Sequence, residues 1–258
     1  MNLAAARFVF QWRVMRKRLT LGSGLRLWLS DNLQERGVLG SLAEVFRQAF
    51  FLARDYTPAR RRLRYGDLDY DFEHAGVDTT WANIDLRTRL LEIFSRGQYQ
   101  GSEPQLFHEI LQQVTEDVKG FTFIDMGSGK GRALLMASEY PFAKVIGVEI
   151  IPELHETTVR NIAKFSGGAR RCPDINSWCG DAREFEFPPE PSVVYFFNPF
   201  PEDVLRNVLV RLERSVRMHP RKLWVIYHNL VYPQQFDSQN WLEKVTSTHQ
   251  YAIYRSRT

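Results

Sequence analysis

Asp125, Gly127, Gly129 and Gly131 alternate through the stretch FIDMGSGKGR, Phe123 to Arg132, directly after an apolar run. Glycine has no Cβ, so it lets a turn take positive φ and lets a bound molecule come close to the main chain. The stretch must therefore hold something against the backbone. Lys130 in its midst suggests phosphate, but a phosphate-binding P-loop has the form G-x-x-x-x-G-K-[ST]. Pairing Gly129 with Lys130 puts Ile124 where the first glycine belongs and Gly131 where the magnesium-binding hydroxyl belongs. A nucleoside triphosphate is set aside on both counts. A dinucleotide fingerprint needs G-x-G-x-x-G, and the spacing here is G-x-G-x-G. Lys130 then says little, and is free to point outward.

Positioning such a loop requires a strand before it and a helix after it. From residue 121 onward, apolar strands alternate with amphipathic helices, the sign of a parallel sheet with crossover helices. FTFIDMG, AKVIGVEI, INSWCGDA, SVVYFFNPF and KLWVIYHNL read as strands. KGRALLMASEY, PELHETTVRNIAKF and EDVLRNVLVRLERSVRM read as helices, and EKVTSTHQ with YAIYRSR can pair as a terminal hairpin. Upstream, residues 38–53 have helical periodicity, IDLRTRLLEIF is helical, and Pro104 opens a further helix after a turn. Residues 55–83 are aromatic, acidic and irregular.

The order acid-x-G-x-G-x-G at a strand-to-helix turn resembles the first motif of the class I S-adenosylmethionine-dependent methyltransferases. That resemblance implies a Rossmann-like α/β fold: a seven-stranded sheet with helices on both faces, here with an N-terminal helical extension. It also implies that the turn from Gly127 to Gly131, with Ser128, wraps the amino-acid part of S-adenosyl-L-methionine and that Asp125 lies near its ammonium group. Glu149, eighteen residues after Gly131 at the next strand end, would accept the ribose hydroxyls, with Ile150 beside it. Asp181 and Ala182 would lie against the adenine. Each acid also has a plainer reading, Glu149 as a solvated strand end and Asp181 as a turn cap. Tyr99 and Glu103 occupy the place where such enzymes lay a loop and helix over the cofactor, and they are expected as second-tier contacts. No metal is required, because methyl transfer from a sulfonium is an in-line displacement that needs alignment and exclusion of water.

The fourth strand ends in Asn198, Pro199 and Phe200, similar to the asparagine-proline-aromatic motif of many amino methyltransferases, in which the asparagine and the adjoining carbonyl hold the acceptor nitrogen. Asn198 would also touch the cofactor. The surrounding sequence looks like little-characterised bacterial members of the class and, distantly, the non-SET histone-lysine methyltransferases. Phe197 and Pro199 depart from the asparagine pair and phenylalanine of the histone enzymes. Asn198 could alternatively be only a turn former before proline. The nonperiodic stretch with His74, Asp78, Thr79, Thr80 and Trp81 suits a lid over the acceptor, or a plain connection between helices. His228 ends the fifth strand as a candidate general base, or as a hydrogen-bonded structural histidine. The implied activity is methyl transfer to an amine nitrogen of a protein side chain or a small molecule. A small-molecule O- or C-methyltransferase is the alternative, and a non-catalytic cofactor-binding interaction protein the third reading.

The 258 residues, 44% of them hydrophobic, suffice for a sizeable core. They divide into a basic helical extension over 1–53, a lid and helical cap over 54–120, and a cofactor-binding catalytic core over 121–258. Cys172 and Cys179 form neither a disulfide framework nor a zinc cluster, and a reducing, cytoplasmic setting fits. Residues 1–30 carry Arg7, Arg13, Arg16, Lys17, Arg18 and Arg26 with no acid. Without them the remainder of the chain is slightly acidic, so the basic character belongs to this leader. It reads as a helix covering the core or as peripheral membrane contact. A nucleic-acid partner is not expected.

Overall fold

The computed structural model describes residues 19–55, 68–74, 76–80, 84–96, 99–114, 117–165 and 170–257. Most of the leader, the ARRRLR run over 59–64 and Trp81 lie outside these residues. The chain opens with α1 (Leu21–Asp55), a long helix bent where Gly37 takes φ 65°. Three shorter helices follow: α2 (Leu68–Glu73), α3 (Leu86–Ser95) and α4 (Pro104–Gln112). Asp85 caps α3 by accepting from the Thr88 amide, and Pro104 occupies the first turn of α4, where its missing N–H costs nothing.

The rest alternates: β1 (Thr122–Met126), α5 (Arg132–Ala137), β2 (Lys144–Glu149), α6 (Pro152–Lys164), β3 (Ile175–Cys179), β4 (Ser192–Phe197), α7 (Glu202–Met218), β5 (Leu223–His228), α8 (Pro233–Asp237), β6 (Leu242–Ser247) and β7 (Tyr251–Ser256). These elements follow the sequence reading closely, except that the short α8 was not anticipated. The seven strands form one sheet in the order β3-β2-β1-β4-β5-β7-β6. β1 to β5 pair in parallel, and β7 runs antiparallel between β5 and β6, which makes the terminal hairpin.

Alternation along the strands builds two cores. Phe123, Val145, Val193, Tyr195 and Ile226 face α4 and α5 on one side. Ile124, Met126, Val148, Val194, Phe196 and Val225 face α7 on the other. α7 supplies Leu205, Val208, Leu209, Leu212 and Val216 at helical spacing. Each such buried aliphatic contributes about 1.5–3 kcal/mol. With both faces covered, only the strand ends remain to hold a ligand. The strand order reverses between β1 and β4, so their carboxyl ends open the crevice where α/β sheets bind ligands.

Candidate functional site

The turn after β1 is pinned to the end of β2. The amides of Gly127 and Ser128 both donate to the Val148 carbonyl, at 2.9 and 3.0 Å. Gly127, Gly129 and Gly131 all have positive φ, 88°, 54° and 85°. Their missing Cβ atoms serve this chain's own contacts. A Cβ on Gly127 would stand 2.3 Å from Pro199, one on Gly129 2.2 Å from the Tyr99 ring, and one on Gly131 2.7 Å from Thr158. The three glycines thus let the β4 end, the loop before α4, and α6 close on the turn.

A cavity of about 270 Å³ opens beside this turn. Of the expected cofactor residues, Asp125, Gly127, Ser128, Gly129, Glu149, Ile150, Asp181, Ala182 and Tyr99 line it, and Pro199 and Phe200 form its wall toward β4. Asp125 is buried, and its carboxylate has no hydrogen-bond partner among the described residues. Burial, with the charge of Glu149 added, pushes its pKa up to about 8. The Ser128 hydroxyl is likewise buried without a partner among the described residues.

Glu149 is not a solvated strand end. It is 6% exposed, one carboxylate oxygen accepts the Gly129 amide at 2.8 Å, and the other accepts the Ile151 amide at 2.8 Å. Burial raises its pKa to about 7 against the opposing pull of those amides. Each oxygen keeps a second lone pair for a ligand hydroxyl. Asp181 combines both readings: it caps the short turn of helix at Ala182–Glu184 and lines the cavity. Burial works to raise its pKa, but the hydrogen bonds and charge of Arg183 hold it below the usual carboxylate range.

Three expectations are corrected. Lys130 does not point outward: it is 2% exposed, and its Nζ donates to Asp78 Oδ1 at 2.7 Å and to the Thr80 carbonyl at 2.8 Å. Glu103 does not line the cavity; it is exposed and caps α4, accepting the amides of Gln105 and Leu106. His228 is packed away from the cavity, with its ring stacked on Phe197 at 4.3 Å and its Nδ1 2.7 Å from the Tyr195 hydroxyl. Burial lowers its pKa to about 4. His74 is also stacked, on Tyr70 and Phe165.

A second, polar cavity meets the first along Phe197, Phe200 and Pro201, and Asn198 lines it. Asn198 has φ 41°, a left-handed conformation that asparagine tolerates better than most residues. The Tyr227 hydroxyl donates to its Oδ1 at 3.1 Å. Asn229, at the end of β5, has φ 60° and lines the same cavity with Tyr232. His228 and Asn229 end this strand together in the sequence, and of the two it is Asn229 that lines the cavity.

Parallel β1 to β5, the antiparallel β7 between β5 and β6, and a glycine turn after β1 occur together. The fold is that of the class I methyltransferases. No family model and no curated protein sequence matches the chain. Among solved structures it is similar to an RNA methyltransferase from Salinibacter ruber in complex with S-adenosyl-L-homocysteine, with 18% identity over 61% of this chain and 92% of that one, TM-score 0.41. It is also similar to the 23S rRNA methyltransferase ErmE, with 15% identity over 61% and 68%, TM-score 0.43. A third is a ribosomal protein L11 methylase from Lactobacillus delbrueckii subsp. bulgaricus, with 16% identity over 60% and 78%, TM-score 0.42. The expected exclusion of nucleic acid gains no support from these neighbours. The likeness to histone-lysine enzymes rests on sequence motifs alone. Among the described residues, no helix is long and apolar enough to cross a membrane.

Proposed function

We propose that the chain is an S-adenosyl-L-methionine-dependent methyltransferase acting on an amine nitrogen of a protein side chain or small molecule. One observation carries the cofactor: Asp125, a buried carboxylate without a partner among the described residues, faces the cavity beneath the glycine turn. Such a group is costly unless a cation meets it. The ammonium of the methionine moiety supplies that cation, and a cavity of about 270 Å³ with Glu149 and Asp181 farther along it fits the nucleoside. When bound, the cofactor supplies an electrophilic methyl on sulfur.

The chain's own residues do the rest. Tyr227 fixes the Asn198 amide, whose second Oδ1 lone pair and peptide carbonyl are suited to accept hydrogens of an amine. Pro199 and Phe200 wall the junction between the two cavities and exclude water from the line of transfer. An amine can shed its proton to solvent before attack, whereas a hydroxyl or carbon acceptor needs a base. His228 is stacked on Phe197 in the core and half-buried His74 is stacked between Tyr70 and Phe165, so neither is presented to an acceptor as a base, which favours nitrogen. Radiolabelled methyl transfer into a lysate, separated into protein, nucleic-acid and small-molecule pools, tests the reading. Label in an amine of protein or a small molecule supports it, and label in nucleic acid or in an O- or C-methyl product contradicts it.

A further inference from the structure

We propose that Asn229 is a second positioning residue for the acceptor, and that with Asn198 it forms a clamp of two carboxamides for a primary amine. The clamp presupposes the methyltransferase reading above and narrows its acceptor. The register of β4 and β5 ends on the pair Phe197 and His228, so the next residue on each strand is an asparagine. Neighbouring strands lie about 4.8 Å apart, which brings Asn198 and Asn229 to adjoining places in the wall of the polar cavity that both line. Both hold left-handed backbone, at φ 41° and 60°. Among the described residues the other non-glycine with positive φ is Arg96, which ends α3 and lines the same cavity. Such conformations cost energy in residues that carry a Cβ, and they gather at functional sites.

A turn alone does not account for Asn229. Its amide donates to the Gln250 carbonyl at 2.7 Å and its carbonyl accepts the Val231 amide at 2.9 Å, so both backbone polar groups are engaged. Its carboxamide, on an exposed residue of the cavity wall, has no hydrogen-bond partner among the described residues. The Tyr227 hydroxyl that donates to Asn198 Oδ1 also accepts the Tyr232 amide at 3.0 Å. One hydroxyl thereby fixes the Asn198 carboxamide against the loop that follows Asn229. Two side-chain oxygens suit two hydrogens: Asn198 Oδ1 keeps one lone pair beside Tyr227, and Asn229 Oδ1 keeps both. A neutral primary amine gives one N–H to each oxygen and retains its lone pair for the methyl carbon. A hydroxyl, with a single hydrogen, would leave one of the oxygens unmet.

The test uses ligands that carry their own acceptor. Calorimetry of the full chain compares S-adenosyl-L-homocysteine with two analogues in which nitrogen replaces the sulfur and bears an aminopropyl or a dimethylaminopropyl arm. The arms carry equal charge, but the dimethylated one has lost two of its N–H bonds. The native chain is expected to hold the aminopropyl compound roughly tenfold or more tighter than the dimethylated one. Asn229→Gly keeps the left-handed turn and removes the carboxamide, so it is expected to weaken the aminopropyl compound by about tenfold while S-adenosyl-L-homocysteine binds as before. Asn229→Asp, which keeps the oxygens, is expected to restore the aminopropyl compound. Glycine would serve a turn former equally well, so undiminished binding of that compound by Asn229→Gly overturns the proposal. Equal affinity for the two arms in the native chain overturns it too, as does a matching loss of S-adenosyl-L-homocysteine in Asn229→Gly, which would make Asn229 structural. If the native chain binds none of the three compounds, the cofactor reading falls and the clamp falls with it.

Discussion

Lys130 Nζ lies 2.7 Å from Asp78 Oδ1, which joins the glycine turn to a segment more than fifty residues upstream. Asn161 completes the joint: its amide nitrogen donates to the carbonyls of both Asp78 and Lys130, and its Oδ1 accepts the Asp78 amide. Next to it, Arg132 donates to Thr79 Oγ1. The segment expected to be a lid is therefore fastened to the glycine turn by three side chains of the core.

Lys130→Met is expected to loosen that fastening while keeping the stem's packing. Loss of a charge-assisted bond and of the Thr80 carbonyl's partner should cost about 1–3 kcal/mol. Hydrogen exchange of the amides at 77–80 should accelerate, with strand amides of β1 unchanged; uniform exchange across the chain would contradict a local joint.

Asp125 gives the free protein a pH signature. A carboxyl ordinarily ionises near ~4, and burial holds this one at about 8. Between those values the folded chain binds a proton that the unfolded chain has released, so this group's contribution to stability declines as pH rises toward about 8. Asp125→Asn removes the decline. Its Tm should exceed that of the native sequence at about pH 8 by more than at about pH 5, and parallel Tm profiles would refute the raised pKa.

Asn198→Ala should leave S-adenosyl-L-methionine affinity within roughly twofold and lower kcat by about 10- to 100-fold, as expected for loss of a positioning contact. Tyr227→Phe, which frees the amide without removing it, should lie between the two. Equal turnover in all three proteins would return Asn198 to the role of a turn former.

His228 should not appear in the pH dependence of turnover. With its pKa near 4 it is neutral across the physiological range, and its Nδ1 is engaged by Tyr195. His228→Asn is expected to cost stability, by about 1–3 kcal/mol through the lost stacking and hydrogen bond. The shape of the pH–rate profile should survive, and disappearance of an acidic limb would restore His228 as a base.

What the sequence made legible was local. Apolar runs alternating with helical periodicity located the five parallel strands, two short runs gave the terminal hairpin, and the alternating glycines located the turn, because these signals are written within a few neighbouring residues. The partners of those residues come from elsewhere in the chain. Lys130 looked uninformative because Asp78 and Thr80 are remote in sequence, and Glu103 looked like a contact although Gln105 and Leu106 satisfy it two and three residues away. The glycines were expected to make room for a ligand. In the structure their space is shared with Pro199, Tyr99 and Thr158, none of which periodicity could bring there.

The central claim is that Asp125 and the glycine turn hold S-adenosyl-L-methionine. Calorimetric titration of the full chain with that compound tests it most directly, run beside Asp125→Asn. Saturable binding at one site per chain, weakened at least about tenfold in the variant, is the expected result. Absence of binding, or equal affinity in the two proteins, would contradict the account.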